Sequence, residues 1–406
     1  MSRFVALAPE ASRRPLCYDR GQLEDVRDRP DVKERDADYM RRALDLAVRR
    51  GEGAHPNPRV GAVVVKGGRV VGEGAHERFG GPHAEVHALR QAGRKAKGAT
   101  LYVTLEPCSH FGKTPPCVDA VVSVGIARVV AACGDPNPLV AGRGFARLRK
   151  AGLSVTRGVL REEGEALIEA HLHSHRLGRP FVTLKAAVTL DGRLASRTGA
   201  SKWITGEAAR EEVQRLRAAS DAILVGSGTV RADDPALTVR GAFASHREDG
   251  FPLRVILDGR LRVTPQARVF QGPQKTLLFT SPQAPLSRER ALRAAGAWVH
   301  RVPCRGGRLF LPGVLQSLLR LGVRKVLVEG GADIHGSFLA EGLVDEVALF
   351  IAPKLLGGEK AKAWFSGPAW DDPNHCPHLT QVAWKTLGED ALVTGRLRLP
   401  AKSGRR

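Results

Sequence analysis

Three short segments of this chain carry residues that one metal ion would draw to a single point: His83-Ala84-Glu85, Pro107-Cys108 and Pro116-Cys117. Meeting there requires a fold that brings together the start of one helix, the end of a strand and the start of a second helix, which points to a layered α/β architecture. The local sequence supplies those elements. Val60–Val65 is an apolar run behind Pro56 and Pro58, Gly67-Gly68 is a tight-turn pair, and Arg69–Gly72 starts a return strand, so the stretch reads as a hairpin. His83 to Gln91 carries Ala84, Val86, Ala88 and Leu89 at helical spacing, opening after Gly80-Gly81-Pro82. Leu101–Leu105 is a short buried strand running into Glu106-Pro107-Cys108, and Cys117–Val124 is a helix behind Pro115-Pro116. A strand at Val129–Ala132 and a helix around Gly144–Ala151 follow.

Ahead of this block, Tyr39, Met40, Ala43, Leu44, Ala47 and Val48 recur at helical spacing until Gly51 and Gly53 stop the helix. Residues 1–36 are rich in Arg, Asp, Glu and Pro without apolar periodicity, which predicts a disordered or loosely attached extension. Met40 lies near the start of the patterned region, so a mis-assigned start stands as an alternative to a genuine leader. Residues 158–179 are polar with a helical pattern broken at Arg179-Pro180, and α/β alternation resumes at Phe181–Val188. The expected division is therefore an extension over 1–36, a first domain over 37–179, a second over 180–398 and a basic tail over 399–406.

With 406 residues and 43% hydrophobic content, two such domains can each bury a core. No run approaches the roughly 20 apolar residues that cross a bilayer, and the N-terminus has no signal-peptide layout, so a cytoplasmic location without a membrane partner is expected. Cys17, Cys108, Cys117, Cys133, Cys304 and Cys376 form no dense framework that would suggest disulfides. The net charge of +21 raises nucleic acid as a partner. Aromatic residues make up only 5% of the chain, and no basic run is interleaved with them for base stacking. A basic surface on an enzyme of small phosphorylated molecules is the expectation, with no nucleic acid bound.

A catalytic zinc takes about three protein ligands and keeps a position open for water. His83, Cys108 and Cys117 supply three, and Glu85, two residues beyond the histidine, can reach that water without binding the metal and carry its proton to a leaving amine. The usual deaminase signature closes on Cys-x-x-Cys, whereas eight residues, Ser109 to Pro116, separate these cysteines. On residues alone two other accounts stay open: two ordinary buried cysteines beside a surface His-Ala-Glu, and a structural zinc, which would usually have four protein ligands. His76, His87 and His110 are close in sequence but surplus to a full set. His171, His173 and His175, at i, i+2 and i+4, cannot share one helical face and read as a polar linker surface.

The longer gap is itself informative. TLEPCSHFGKTPPC, with GPHAEVHAL and HPNPRVGAVVV before it and DPNPLVAGRG after, resembles the bifunctional riboflavin-biosynthesis deaminase–reductase family. The resemblance continues through LKAAVTLDGRLA, SKWITGEAAR, LRAASDAILVGSGTVRADDPALTVR, VLVEGGADIHGSFL and IAPKLLGG, and so covers most of the chain. It implies a cytidine-deaminase-like three-layer first domain and a dihydrofolate-reductase-like second domain, and indeed no GxGxxG joins a strand to a helix. It implies one Zn²⁺ per chain, NADPH, and as substrate the small phosphorylated 2,5-diamino-6-(5-phosphoribosylamino)pyrimidin-4(3H)-one, first deaminated and then reduced from ribosyl to ribityl. It also implies a homo-oligomer. A tRNA-type deaminase with an appended binding domain is the alternative, and it would be expected to show the shorter cysteine spacing.

Carried over by that resemblance, substrate contacts fall on Asn57, Ser201, Arg217, Leu237, Arg240 and Glu329. Asn57 between two prolines is equally a turn former, while the guanidinium forks of Arg217 and Arg240 suit a phosphate, with surface salt bridging as the competing role. Cofactor contacts fall on Ala187, Trp203, Thr229 and Asp233. They also fall on the turn and helix after a strand at Lys325–Val328, through Gly331, Ala332, Asp333, Ile334, His335, Gly336 and Ser337. Glycines there let backbone approach phosphates, and a helix start offers free N–H groups. Lys185, Asp191 and Glu329 are the polar candidates to orient or protonate the sugar.

Overall fold

Gly67 and Gly68, at φ 56° and 74°, take the left-handed conformation that a two-residue hairpin turn demands, and they join Gly61–Lys66 (β1) to Arg69–Ala75 (β2). The computed structural model describes residues 30–51, 53–138, 140–244, 252–367 and 369–400. β1 also pairs antiparallel with Thr100–Leu105 (β3), which runs parallel to Arg128–Cys133 (β4), itself parallel to Ser154–Arg157 (β5). The five strands lie in the order β2-β1-β3-β4-β5. On one face packs Pro30–Arg50 (α1), with Met40, Ala43 and Leu44 against Val63, Tyr102 and Val130. On the other pack Ala84–Ala92 (α2), Cys117–Ser123 (α3) and Arg143–Lys150 (α4), whose Ala88, Val121 and Leu148 close over Val64, Val103 and Ala131. Strict alternation along β1 and β3 feeds both faces, giving a three-layer first domain. α2 rests directly on β2: a Cβ at Gly74 would lie 2.4 Å from the Ala84 carbonyl oxygen, so only glycine lets the helix come this close.

Arg161–Leu167 (α5) and Glu169–Leu177 (α6) lead to the second domain. Its nine-stranded sheet opens at one edge on Trp298–Arg301, Thr276–Thr280, Leu253–Leu257 and Ala222–Gly226. It continues through Lys325–Val328, Phe181–Thr189 and Glu346–Ala352, all parallel to this point, and ends on the antiparallel pair Asp390–Arg398 and His378–Leu387. Helices cover both faces: Val314, Leu318 and Phe338 pack on one, and Ala209, Val213 and Leu216 on the other. No helix among the described residues is long and apolar enough to cross a membrane.

Ordered structure starts earlier than the sequence predicts. α1 begins at Pro30 rather than Ala37, and buried Asp36 accepts hydrogen bonds from Tyr102 Oη at 2.7 Å and from Arg128 at 3.0 and 2.6 Å. The polar run that looked unpatterned is a helix face whose acidic residue is paired with a basic one inside the domain. Residues 1–29 of the expected extension and 401–406 of the expected tail lie outside the described residues.

The helix Ala332–Ala340 is pinned by the segment after it. Ser366 N donates to the Ala332 carbonyl at 3.0 Å, and a Cβ at Gly336 would stand 1.4 Å from the Ser366 carbonyl oxygen. Gly336→Ala is therefore expected to push the 364–366 segment off the helix, at a cost of about 1–3 kcal/mol. Calorimetry should show a melting temperature several degrees lower, and an unchanged one would show that the segment yields freely.

Candidate active site

His83 caps the start of α2 in extended conformation, Cys108 follows β3 by three residues, and Cys117 opens α3. The sheet and its helices thus deliver the three segments to one point. His83 Nδ1 lies 3.1 Å from Cys117 Sγ and 3.5 Å from Cys108 Sγ. Tetrahedral zinc with bonds of about 2.0–2.3 Å would set its ligands roughly 3.5–3.8 Å apart, so these donors need to part by only tenths of an ångström. Among the described residues, no other group of His, Cys or carboxylate donors converges in this way. His76, His87 and His110 stand outside that set.

The electrostatics suit a cation. Cys117 donates to Cys108, by thiol and by its backbone N–H at 3.2 Å, which pulls the Cys108 thiol well below its ordinary value, while that same bond and burial push Cys117 up. Two adjacent thiols share one proton until a positive charge lies between them. Glu85, in the first turn of α2, is buried, and that burial raises its carboxyl to about 7. A carboxyl poised near neutrality beside such a donor set can both take and give a proton.

His83, Cys108 and Glu85 line a cavity of about 240 Å³. Asn57 lines it and meets His76, Nδ2 to Nε2 at 3.1 Å, while His76 Nδ1 lies 3.1 Å from the Pro82 carbonyl. The carbonyl only accepts, so Nδ1 carries the hydrogen and Nε2 receives the Asn57 amide; burial lowers the His76 pKa and keeps the ring neutral. Lys113, Asp135, Asn137 and His171 line the same cavity and were not among the sequence candidates. Lys113 lies in the long inter-cysteine gap and Asp135 and Asn137 in DPNP, so their segments were conspicuous though their roles were not. His171 is a correction, because α6 is no solvated linker face. His171 meets Asp135, His173 meets Asp345 at 3.3 Å, and all three histidines are partly buried between the domains. Their spacing did split them as expected, His171 and His175 ring to ring and His173 against Phe181.

The second domain holds a cavity of about 1240 Å³ at the carboxyl ends of its parallel strands. Of the substrate candidates, Ser201, Arg217, Arg240 and Glu329 line it, and Leu237 is buried nearby at φ 49° without lining it. Of the cofactor candidates, Ala187, Trp203, Thr229 and Asp233 line it, with Asp233 accepting from Ser201 Oγ at 3.3 Å. Gly331, Ala332, Asp333 and Ile334 form its glycine-turn wall. His335, Gly336 and Ser337 turn away: His335 Nδ1 is 2.7 Å from the Trp364 carbonyl, Gly336 meets Ser366, and Ser337 Oγ bonds the Asp333 carbonyl at 2.7 Å. Only the first turn of a helix can face a ligand at its start, which is why three of the seven motif residues are structural.

Two physical readings change. The Arg217 fork is not offered to a phosphate: Nε and Nη2 bind the Glu329 carboxylate at 2.7 and 2.8 Å, and Nη1 donates to the Thr238 carbonyl at 3.0 Å. Arg240, exposed on the rim, keeps that possibility. Asp191 is no sugar ligand either, because its carboxylate caps the backbone of Leu356 and Gly357 at 3.1 and 2.8 Å. Lys185 does face the cavity, with burial lowering its ammonium pKa and Glu329 beside it countering that effect.

Comparison with known proteins agrees with this two-site layout. Residues 33–133 match the cytidine and deoxycytidylate deaminase zinc-binding region, and residues 180–393 match the RibD C-terminal domain. A riboflavin biosynthesis protein RibD from Bacillus amyloliquefaciens is 48% identical over 358 residues, spanning 88% of this chain and 95% of that protein. One from Escherichia coli K12 is 47% identical, over 79% of this chain and 88% of its own. Among solved structures, Acinetobacter baumannii RibD superposes with a TM-score of 0.82 at 38% identity, over 90% of this chain and 100% of that one. A Thermotoga maritima diaminohydroxyphosphoribosylaminopyrimidine deaminase/5-amino-6-(5-phosphoribosylamino)uracil reductase gives 0.77 at 37% identity, over 91% and 100%. With both domains matched in order and over nearly their full length, the chain belongs to the RibD family of riboflavin biosynthesis proteins.

Proposed function

We propose that the chain performs two consecutive steps of riboflavin biosynthesis, deaminating 2,5-diamino-6-(5-phosphoribosylamino)pyrimidin-4(3H)-one in the first cavity and reducing the ribosyl group of the product in the second. The observation that carries this is the pairing, on one chain, of a His83–Cys108–Cys117 donor set beside buried Glu85 with a separate 1240 Å³ cavity behind a glycine turn.

In the first cavity His83, Cys108 and Cys117 would hold zinc, which would supply a water nucleophile usable at neutral pH. Glu85 is placed to take a proton from the hydrolytic water and to return one to the departing amine, so that C2 loses ammonia and keeps a carbonyl oxygen. Asn57, oriented by neutral His76, offers its amide to the pyrimidine. The second cavity would hold NADPH, whose chemistry is the hydride that reduction of the ribosyl C1 requires. Gly331, Ala332, Asp333 and Ile334, with Ala187, Trp203, Thr229 and Asp233, form its seat. Ser201 and Arg240 bind the substrate, and Leu237 shapes the loop that carries Arg240. Glu329, held by Arg217, faces Lys185, which is placed to deliver the proton that the reduced nitrogen needs.

The test is a coupled assay on the zinc-loaded chain given the diaminopyrimidine and NADPH. Ammonia should appear first and nicotinamide absorbance should fall in equal amount. Ammonia release without NADPH consumption would remove the second activity, and salt-sensitive micromolar RNA binding without either would restore the tRNA alternative.

A further inference from the structure

We propose that His171, on the helix that connects the domains, is a positioning residue of the deaminase pocket: it holds the Asp135 carboxylate in the cavity wall as an acceptor for the donor-rich pyrimidine substrate. The proposal rests on the deaminase reading above.

Both residues line the 240 Å³ cavity, and their side chains are only 11% and 12% exposed. His171 Nε2 lies 3.4 Å from Asp135 Oδ1, and the same oxygen accepts the Asn137 N–H at 2.8 Å. The carboxylate is thus held from its own loop on one side and from α6 on the other. Because the carboxylate accepts, Nε2 carries a hydrogen toward it. The His171 Nδ1 is buried and meets no hydrogen-bond partner among the described residues. His175 packs its ring edge-on at 4.6 Å and limits rotation of His171.

The helix that carries this ring is anchored to the second domain. Arg396 binds Glu169 at 2.6 Å, Arg324 donates to Ser174 Oγ at 3.1 Å, and His173 reaches Asp345, which also receives both arms of Arg179 at 2.6 and 2.7 Å. The wall of the first active site is therefore braced by the second domain. A substrate with two exocyclic amines and ribose hydroxyls presents many hydrogens to such a wall, and a carboxylate fixed in place recognises them without first being ordered.

The experiment compares deamination kinetics of wild type, His171→Phe and His171→Gln. Phenylalanine keeps the ring but cannot donate, so its KM for the diaminopyrimidine should rise about tenfold, the size of one lost charge-assisted hydrogen bond, with kcat close to wild type. Glutamine, whose amide can donate to Asp135, should restore most of the KM. Reduction of the deaminated product with NADPH should be unchanged in both, which a general loosening of the fold would not allow. A wild-type KM in His171→Phe overturns the proposal, as does a KM in His171→Gln no better than in His171→Phe. If His171→Phe does not fold, His171→Asn, too short to reach Asp135, takes its place with the same two outcomes. Wild type that releases no ammonia overturns the deaminase reading and this proposal together, whereas active wild type sharing one KM with His171→Phe overturns this proposal alone.

Discussion

Glu85→Gln is expected to slow ammonia release by about 10²–10⁴-fold, the range that a positioned acid–base group contributes. The side chain is buried at the start of α2, where burial lifts its carboxyl to about 7, so near neutral pH it can accept a proton in one half of the reaction and return it in the other. Glutamine keeps the shape and the hydrogen-bonding reach but cannot exchange a proton. The loss should therefore fall on kcat, and zinc content measured by atomic absorption should stay that of wild type, because His83, Cys108 and Cys117 are untouched. Reduction of the deaminated product with NADPH should proceed unchanged in the second cavity. Full ammonia release from Glu85→Gln would sink the proton-shuttle assignment, and loss of zinc in the same variant would move Glu85 from proton carrier to metal support.

The metal donors and Glu85 were legible because their chemistry allows few residue types, and those types stand beside prolines and glycines that mark where helices and strands begin. The hairpin, α2, β3 and α3 were legible for the same reason. Asp36 was not: charged residues at a helix start look like solvated leader until the fold shows Arg128 and Tyr102 waiting for them. The His378–Leu387 and Asp390–Arg398 hairpin escaped because its outer strand is largely exposed and lacks a clean apolar alternation. β5 is only four residues long, too short for a period to emerge. The roles of Arg217 and His171 depend on partners 112 and 36 residues away, Glu329 and Asp135, and no local pattern encodes such a distance. Residue type told that Arg217 would seek a carboxylate or a phosphate, and only the fold chose between them.

That choice carries the largest stability effect expected in the second domain. Arg217 and Glu329 face each other with side chains 11% and 9% exposed, in a bidentate pair whose third arm is taken by the Thr238 carbonyl. Burial alone would raise the Glu329 carboxyl, yet the Arg217 charge and hydrogen bonds, with Lys185 adding to them, hold it at about 2. Arg217→Leu removes the partner and leaves a buried carboxylate beside Lys185 alone, at a cost of about 3–5 kcal/mol, the range seen when one half of a buried pair is deleted. The pH dependence follows from linkage. In wild type the folded pKa lies below the unfolded one, so the pair's contribution is present above the ordinary carboxylate range and fades only as pH falls toward 2. With Arg217 gone, desolvation dominates and raises the folded pKa, so the variant's deficit should be largest at neutral pH and shrink as acid protonates Glu329. Urea unfolding of both proteins between pH 5 and pH 8, about the span over which a raised carboxyl titrates, reads this directly. A deficit that stays constant with pH would mean that Glu329 keeps its charge by another route, with Lys185 as the group to remove next. NADPH oxidation should fall in the same variant, because an unanchored Glu329 no longer fixes Lys185 against the sugar, while ammonia release from the first cavity, which shares none of these residues, should hold.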